Sequence, residues 1–297
     1  NLTVNETSGT TTVTATINTV SGLAVTVTLT KTGTATETAD YTLAGTMMIP
    51  AGSLSATTTL TAAIDTLDES NETVIIDITG VTNGTEATPQ TATVTITDQT
   101  DPPTVTVGVG VTTMGEVAGT TTVTATLNTA SGLAVTVTLT KTGTAMETAD
   151  YTLAGTINIP AGMTSAFVQL SSADDLIDEE NETVIIDITG VTNGTESGIQ
   201  TATVTILDDE SAPAVTLSAV AGINENAGTV TTSIQAELSA ASGLNVTVTL
   251  TRGGTATNAV DYTLSGLTIS IPAGSTLGSV TLTSIGDALN EGDETVI

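Results

Sequence analysis

One short segment of the chain holds an unusual density of carboxylates. In DDLIDEENE, residues 174–182, six of the nine residues are acidic, and no Lys, Arg or His stands near them. Carboxylates this close repel one another, so their pKa values rise unless positive charge compensates. The whole chain has three basic residues against 32 acidic ones. A bound divalent cation is therefore the compensation that this composition favours.

The available donors favour calcium among the divalent cations. Ca²⁺ takes about six to eight oxygen ligands, mostly carboxylates and carbonyls, in a flexible geometry. Zinc prefers His or Cys, and the chain contains neither. Mg²⁺ demands a stricter geometry and keeps water molecules. The segment lacks the D-x-[DN]-x-[DN]-G spacing of an EF-hand loop, and a solvated acidic loop that only improves solubility stays open as the alternative.

The composition argues against several classes of function. A net charge of -29 disfavours nucleic acid and anionic membranes as partners, since both need a basic surface. No apolar run approaches the ~18 residues of a membrane span. Paired carboxylates serve glycosidases, but the chain has no Trp and one Phe for sugar platforms, and it lacks His and Cys for nucleophile–base pairs. We expect no enzyme, no catalytic residues, no organic cofactor and no membrane insertion by this segment.

The chain is built from copies of one repeat. Residues 10–46 and 120–156 match at all but three positions, and NETVIIDITGVTNGTE occurs at both 71–86 and 181–196. A third, looser copy begins near Ala212. The period of about 110 residues exceeds that of solenoid repeats and is typical of globular domains in tandem.

These repeats predict three domains. We expect copy 1 at residues 1–101, cut at its N-terminal side, copy 2 at 102–211, complete, and copy 3 at 212–297, cut at its C-terminal side. The segments between them, DQTDPPT and DDESAPA, are short and contain Pro. Neighbouring copies should therefore be closely coupled.

Each copy has the pattern of an all-β domain. Segments such as VTVTLT at 25–30 and TVIIDI at 73–78 alternate apolar with polar residues, which is typical of strands with one buried face. Turn signals such as NTVSG and IPAGS separate them. About seven short strands, A to G, in about 100 residues predict a Greek-key β-sandwich.

Strand counting brings the acidic groups together. Consecutive strands of an antiparallel sandwich alternate in direction, so the ends of A, C, E and G lie at one pole. In copy 2, Glu116 follows A, Asp150 lies between C and D, residues 174–182 join E to F, and residues 208–210 follow G. We therefore expect one acidic pole in each copy and a calcium site there.

The combined motif resembles the Calx-β domain. The motif runs from E-x-x-G through GTA…DYT and DD.I.EE.E to TVTI.DD, and it covers essentially the whole chain in three copies. The resemblance implies a seven-stranded, immunoglobulin-like sandwich with calcium at one pole. The family includes regulatory calcium-binding domains of sodium/calcium exchangers and many bacterial surface proteins.

The resemblance also implies calcium ligands at matching positions. In copy 2 these are Glu116, Asp150, Asp174, Asp175, Glu179, Glu182, Asp208, Asp209 and Glu210, with the carbonyl of Ile177. In copy 1 they are Glu6, Asp40, Asp65, Glu69, Glu72 and Asp98, with the carbonyl of Leu67. In copy 3 they are Glu225, Asp261, Asp287, Glu291 and Glu294, with the carbonyl of Leu289. Copy 1 departs at Ile64 and Gln99, and copy 3 departs at Gly286, so both should hold fewer ions than copy 2.

The function expected from these features is structural. We expect a calcium-stiffened segment of a secreted or cell-surface stalk, adhesin or filament of bacterial origin. Its partners would be calcium ions and neighbouring repeats or copies of itself, with no nucleic acid. A calcium-sensing regulatory module attached to a larger protein is the alternative, although near-identical Thr-rich copies favour the stalk.

Overall fold

The computed structural model describes residues 2–224, 229–288 and 292–297, and it confirms the all-β prediction. Among these residues every regular element is a strand. The described part of the chain thus holds no helix long and apolar enough to cross a membrane.

The described strands follow the three copies. Those of copy 1 are β1 (Leu2–Asn5), β2 (Thr10–Thr16), β3 (Val25–Gly33), β4 (Tyr41–Thr42), β5 (Thr46–Ile49), β6 (Ser55–Ala62), β7 (Glu72–Thr82) and β8 (Thr91–Thr97). Those of copy 2 are β9 (Thr104–Val109), β10 (Thr113–Gly115), β11 (Thr120–Leu127), β12 (Val135–Gly143), β13 (Tyr151–Leu153), β14 (Thr156–Ile159), β15 (Ser165–Ser172), β16 (Glu182–Thr192), β17 (Thr195–Glu196) and β18 (Thr201–Leu207). Those of copy 3 are β19 (Val215–Ala219), β20 (Thr231–Leu238), β21 (Val246–Thr249), β22 (Tyr262–Leu264), β23 (Thr268–Ile271) and β24 (Leu277–Ser284).

Each copy forms two sheets that pack as a sandwich. In copy 2 the strand orders are β10-β18-β16-β12-β14 and β13-β15-β11-β9-β17. Copy 1 has β1-β8-β7-β3-β5 and β2-β6-β4, and the described part of copy 3 has β19-β20-β24-β22 and β21-β23. The same order of pairing in copies 1 and 2 reflects their near-identical sequences.

Two of the seven predicted strands are divided between the sheets. Strand A is split into β9, which pairs with β11, and β10, which pairs with β18. Strand D is split into β13, which pairs with β15, and β14, which pairs with β12. A strand that switches sheets closes a corner of the sandwich. The split and the additional two-residue strand β17, which pairs with β9, explain why copy 2 has more strands than the seven that alternation predicts.

The pairing of the first and last strands supports the strand count. β10 runs parallel to β18, and β1 runs parallel to β8. The first and seventh members of an alternating series point in the same direction, so a parallel pair is what seven strands require. The C-terminal ends of these strands therefore lie at the same pole.

Aliphatic side chains form a separate core in each copy. The copy 2 core contains Val123, Val137, Ile159, Leu170 and Ile186, all with essentially no exposed surface. The strands alternate between this core and Thr-rich outer faces, as β12 shows. The three tyrosines at equivalent positions, Tyr41, Tyr151 and Tyr262, are all buried.

A glycine ends strand C and allows the chain to cross strand F. Gly143 has φ +122, and a Cβ there would lie 2.0 Å from the Thr183 carbonyl oxygen. Gly33 has the same φ region and the same approach to Thr73. No side chain fits at this position, so glycine is required. The loop that follows carries Asp40 or Asp150 to the acidic pole.

Candidate metal centre

Carboxylates from four separate segments line one pocket in copy 2. The pocket is lined by Glu116, Asp150, Glu179, Glu180, Glu182, Ile206 and Asp208. Glu116 follows β10, Asp150 precedes β13, the three glutamates lie at the start of or just before β16, and Asp208 follows β18. The structure thus brings together the groups that strand counting placed at one pole. The sequence had not singled out Glu180, which occupies the position of Ser70 in copy 1.

Local hydrogen bonds hold Asp150 in place. One carboxylate oxygen of Asp150 accepts a hydrogen bond from the Met146 amide. The Asp150 amide donates to the Met146 carbonyl at 2.9 Å, and the Asp150 carbonyl accepts from the Ala173 amide at 2.8 Å. The next residue, Tyr151, is anchored in the core. The C–D loop is therefore a preformed turn that presents one carboxylate to the pocket.

The loop between β15 and β16 is fixed by its own side chains. Asp175 Oδ1 accepts from the Ile177 amide at 2.7 Å, and Asp208 Oδ1 accepts from the Glu179 amide at 2.9 Å. Asn181 Oδ1 accepts from the Asp208 amide at 3.1 Å. These bonds tie the loop to the end of β18 and orient Glu179 and Glu182 toward Asp150.

Burial and like charge raise the pKa values of the pocket glutamates. Burial, together with the charges of Asp175, Glu210 and Asp208, raises the pKa of Glu116 to about 7. Burial and a hydrogen bond shared with Asp150 raise the pKa of Glu182 to about 7. The same causes, burial first and then Asp175, raise the pKa of Glu179. The pocket is therefore a site of uncompensated negative charge.

The basic residues of copies 1 and 2 do not neutralise this pole. Lys141 pairs with Glu147 and donates to the Leu153 carbonyl at 2.9 Å. Lys31 makes the equivalent pair with Glu37 and the equivalent bond to Leu43. Both ammonium groups are thus bound on the C–D loop, and they do not compensate the negative charge of the pocket carboxylates.

Three groups of carboxylates in copy 2 have the spacing of a cation site. Each group places three oxygens within 4.8 Å of one another. The groups are Glu116, Asp208 and Glu210; Asp150, Glu179 and Glu182; and Asp174, Asp209 and Glu210. Oxygens on opposite sides of a calcium ion lie at most about 5 Å apart, because each Ca–O distance is about 2.3–2.6 Å. The spacing therefore fits Ca²⁺.

Glu210 supplies an independent sign that the donor set is incomplete without a cation. Its Oε2 atom is buried and has no hydrogen-bond partner in the described part of the structure. Burial, followed by the charges of Asp209 and Asp208, raises its pKa. A buried carboxylate oxygen without a partner is costly, and a cation shared with Glu116 or Asp174 would satisfy it. The residues present therefore fit a hard divalent cation, which carries positive charge and accepts several oxygen donors at once.

Two residues predicted as ligands in copy 2 have other contacts. Among the described residues, Asp175 falls outside the groups spaced for a cation, although its charge raises the pKa values of Glu116 and Glu179. Ile177 does not line the pocket, and its amide donates to Asp175. Both lie on the loop beside the site, and their assignment as ligands stays a prediction.

Copy 1 has the same inner pocket. It is lined by Glu6, Asp40, Glu69, Ser70, Glu72, Ile96 and Asp98, and oxygens of Asp40, Asp65 and Glu69 lie within 4.8 Å of one another. Burial and a hydrogen bond with Asp40 raise the pKa of Glu72 to about 7. Burial also raises the pKa values of Glu6 and Glu69.

Copy 1 lacks the outer group of copy 2. Where copy 2 has Asp174, Asp209 and Glu210, copy 1 has Ile64, Gln99 and Thr100. The Thr100 hydroxyl donates to the Leu67 carbonyl at 2.7 Å and to Asp98 Oδ1 at 3.0 Å. A hydroxyl therefore replaces the third carboxylate, and it engages the carbonyl that was predicted to bind calcium.

Only part of the copy 3 site lies in the described structure. Glu225, Leu289 and Glu291 lie outside the described residues. Asp261 accepts a hydrogen bond from the Thr257 amide at 2.6 Å, as the equivalent aspartates do in copies 1 and 2. Asp287 and Glu294 are described, and within the described part of copy 3 no group spaced for a cation includes them.

The acidic loop of each of the first two copies also contacts the following copy. The Asp68 carbonyl accepts from the Gly132 amide and from the Ser131 hydroxyl, both at 3.1 Å. The Asp178 carbonyl accepts from the Gly243 amide at 2.9 Å and from the Ser242 hydroxyl at 3.1 Å. The sequence reasoning missed these residues, although the motif Ser-Gly-Leu recurs in all three copies.

The fold and the acidic pole define a tandem β-sandwich with a candidate calcium site in each of the first two copies. The model of the Calx-beta domain matches residues 1–100, 98–210 and 212–297. The chain therefore belongs to the Calx-beta domain family, whose members are calcium-binding modules.

Solved structures of the same class are similar to the chain. The crystal structure of CBD12 from CALX1.2 is 18% identical with a TM-score of 0.31, and the match covers 69% of this chain and 96% of that one. The apo form of the Calx CBD1 domain is 22% identical with a TM-score of 0.33, over 37% of this chain and 100% of that one. No curated protein matches the chain.

Proposed function

We propose that this chain is a calcium-binding segment of a secreted or cell-surface stalk, adhesin or filament. In this proposal calcium binds at the acidic pole of each copy and stiffens both the sandwich and its joint to the next copy. One observation carries the proposal: carboxylates from four separate segments converge in copy 2, and Glu210 keeps a buried oxygen without a partner among the described residues.

The proposed ligands are the residues of the acidic pole. Glu116, Asp150, Glu179, Glu182 and Asp208 would hold an inner ion, and Asp174, Asp209 and Glu210 an outer one. The equivalent inner residues of copy 1 are Glu6, Asp40, Glu69, Glu72 and Asp98. Asp65 joins them in copy 1, because its carboxylate is grouped with Asp40 and Glu69. We also propose that copy 1 ends at residue 101 and that copy 2 ends at residue 211.

Calcium would act on the fold through charge. Without a cation, the pole holds many carboxylates in a partly buried pocket, where burial and neighbouring negative charges raise the pKa values of Glu116 and Glu179. A bound ion would remove this repulsion and connect four loops that are far apart in the sequence. A ligand that binds only the folded state adds RT ln(1 + [L]/Kd), or about 2.7 kcal/mol at 100-fold excess over Kd. That gain is a large share of the ~5–15 kcal/mol stability of a typical domain.

The contact between copies supports a mechanical role. Glu69 and Glu179 each belong to a candidate cation group and lie against the glycine of the following copy. Ordering these side chains at the pole would also order the joint. Near-identical copies in tandem suit a spacer, because the function of a spacer depends on the number of copies and not on the surface of any one copy. Domains of this family are usually parts of extracellular or cell-surface proteins.

Calorimetry on the whole chain tests calcium binding. Titration with Ca²⁺ should give saturable binding that Mg²⁺ does not reproduce at the same concentration. Glu182→Gln, which changes a pocket carboxylate, should weaken or remove one class of sites. Asp187→Asn is the matched control, because Asp187 lies on the same strand and its Oδ1 accepts from the Ile188 amide. Equal loss in both variants, or no binding by the parent chain, would contradict the proposal.

Small-angle scattering tests the mechanical part separately. With calcium, the three-copy chain should show a narrower distribution of interatomic distances and a longer maximum dimension than with a chelator. Calcium binding without a change in dimensions would support a module that binds calcium but is not stiffened by it.

A further inference from the structure

The loop between strands B and C forms a docking site for the preceding copy. At the two joints this docking loop is Ser131–Gly132–Leu133 and Ser242–Gly243–Leu244. Ser131 and Ser242 are almost completely buried. The hydroxyl of each donates to the carbonyl and to a carboxylate oxygen of the incoming aspartate, at 3.1 and 3.4 Å for Asp68 and at 3.1 and 2.9 Å for Asp178.

Glycine is needed in the docking loop because a glutamate side chain of the preceding copy lies directly over it. A Cβ on Gly132 would lie 2.5 Å from Glu69 Oε1 and 2.6 Å from its Cγ. A Cβ on Gly243 would lie 2.6 Å from Glu179 Oε1 and 2.8 Å from its Cγ. Both docked segments are an Asp followed by a Glu, so the two joints use the same chemistry. The contact consists of backbone groups, a hydroxyl and an acidic pair.

Copy 1 carries the same loop in the same conformation. Ser21 Oγ accepts from the Leu23 amide at 3.1 Å, as Ser131 Oγ does from Leu133 at 3.0 Å. The Ser21 carbonyl accepts from the Gly52 amide at 2.9 Å, which corresponds to the 2.7 Å bond from Gly162 to Ser131. The docking loop is therefore formed before anything occupies it.

In copy 1 the loop is open. A Cβ on Gly22 would meet no atom within 4 Å among the described residues. Leu23 is 62% exposed, whereas the equivalent Leu133 is partly buried. Val20 and Leu54 are also exposed beside it, where copy 2 has the smaller or more polar Ala130 and Thr164. Within this open loop the Ser21 hydroxyl donates to the Leu23 carbonyl at 2.7 Å, so it must turn to reach an occupant. An apolar rim around the exposed Gly22 backbone is a surface that association would bury.

We propose that the Ser21–Gly22–Leu23 loop binds the acidic loop of another copy of this repeat, joined ahead of copy 1 in the same polypeptide. The occupant would place an Asp carbonyl on the Ser21 hydroxyl and the Gly22 amide, and its following Glu would cover Gly22. This inference extends the tandem arrangement, and it does not depend on calcium binding. The two joints already present in the chain supply the geometry.

An extended chain tests the docking site. Residues 1–111 are placed before residues 2–297, which keeps the repeat register because positions 1 and 111 are equivalent. The chain has no cysteine, so within one molecule a pair of introduced cysteines can bridge only with each other. Glu69→Cys in the added copy and Gly22→Cys in the following copy should form an intramolecular disulfide under mild oxidation with a chelator present.

Two cysteine pairs are the controls for cross-linking. Glu69→Cys with Gly132→Cys, in the natural-length chain, tests the joint seen here and should cross-link. Glu69→Cys in the added copy with Gly45→Cys in the following copy should not, because Gly45 lies outside the docking loop. If the natural joint cross-links and the Gly22 pair does not, the proposal is wrong. A disulfide between two chains instead of within one would also overturn it, in favour of association between molecules.

Hydrogen exchange gives a readout without cysteines. In the extended chain without substitutions, exchange of the Gly22 amide should slow to the rate of the Gly132 amide, which is bonded to the Asp68 carbonyl. An unchanged rate would contradict docking. Both experiments are done without calcium. A negative result in them would therefore contradict docking but not the proposed calcium site. A failure of calcium binding, in turn, would not contradict docking.

Discussion

Gly132 in copy 2 lies directly under the side chain of Glu69 in copy 1, with 2.5 Å between an added Cβ and Glu69 Oε1. Glu69 also belongs to the carboxylate group with Asp40 and Asp65. One side chain therefore belongs both to the joint and to the candidate cation site. A substitution in the docking loop of one copy should therefore alter the position of a carboxylate at the acidic pole of the preceding copy.

The first prediction is that Gly132→Ala disturbs the joint and weakens calcium binding by copy 1. The added methyl group cannot fit without moving Glu69, and overpacking of this kind costs about 1–3 kcal/mol where the structure cannot relax. At a joint the two copies can separate instead, so the loss should appear as a looser contact. Scattering should show a broader distance distribution, and calorimetry should show one weakened class of sites.

Gly22→Ala is the matched control for this variant. It makes the same change in the same loop, but the added methyl group meets no described atom within 4 Å. A surface change of this kind usually alters stability by less than about 0.5 kcal/mol. If the two variants behave alike, the joint does not constrain Glu69.

The second prediction is that copy 1 binds fewer calcium ions than copy 2. The outer acidic group of copy 2 is absent from copy 1, where an aliphatic, an amide and a hydroxyl side chain stand in its place. The gain-of-function variant changes three residues of copy 1 to their copy 2 equivalents: Ile64→Asp, Gln99→Asp and Thr100→Glu. Native mass spectrometry of the whole chain should show an additional bound ion.

The reverse exchange in copy 2 should remove an ion. This variant is Asp174→Ile, Asp209→Gln and Glu210→Thr. The two variants together separate a local ligand effect from the total charge of the chain. An unchanged ion count in both would show that the outer group binds no calcium.

The sequence predicted the sandwich and its acidic pole because both depend on periodicity. Alternation along segments such as 25–30 identifies the strands, and an alternating series of seven places Glu116, Asp150 and Asp208 at one end. The division of strands A and D between two sheets was not predicted. Alternation continues through a crossing strand, so the pattern does not show where the strand changes sheet.

The joint could not be predicted from the pattern of charge. Asp68 and Asp178 look like further members of an acidic loop, yet their carbonyls bond the following copy. That role depends on how two domains meet, and no local pattern encodes it. The recurrence of Ser-Gly-Leu at equivalent positions was the available signal.

The third prediction concerns the glycine that ends strand C. Gly143→Ala places a Cβ 2.0 Å from the Thr183 carbonyl oxygen at φ +122, a conformation that alanine rarely adopts. We expect copy 2 to lose about 1–3 kcal/mol or more of stability, together with calcium affinity, because Asp150 lies on the loop that follows.

Gly155→Ala is the control, since an added Cβ there has no atom within 4 Å among the described residues. Thermal unfolding of the whole chain should show a lower melting temperature for the copy 2 transition in Gly143→Ala only. Equal melting curves for the two variants would show that the crossing over strand F tolerates a side chain.

The fourth prediction is that the calcium-free chain loses stability as the pH rises from about 4.5 to about 7. The pKa values of Glu72, Glu116 and Glu182 are raised from 4.5 to about 7 in the folded chain. Between these values the folded state holds more protons than the unfolded state, so stability falls as the pH rises. The stabilising contribution is fully present below pH 4.5 and is lost by the time these groups ionise near pH 7.

Calcium should reverse this dependence, because the ion competes with protons for the same carboxylates. Melting temperatures at pH 5 and pH 8 should fall with pH in a chelator and rise with pH in calcium. Calorimetry in buffers of different ionisation enthalpy should show protons released on binding near pH 7. In Glu182→Gln the calcium-free curve should be flatter, since one raised carboxyl group is gone. A calcium-free melting temperature that is constant or rises between pH 5 and pH 8 would show that the pole is solvated and that its carboxylates do not strain the fold.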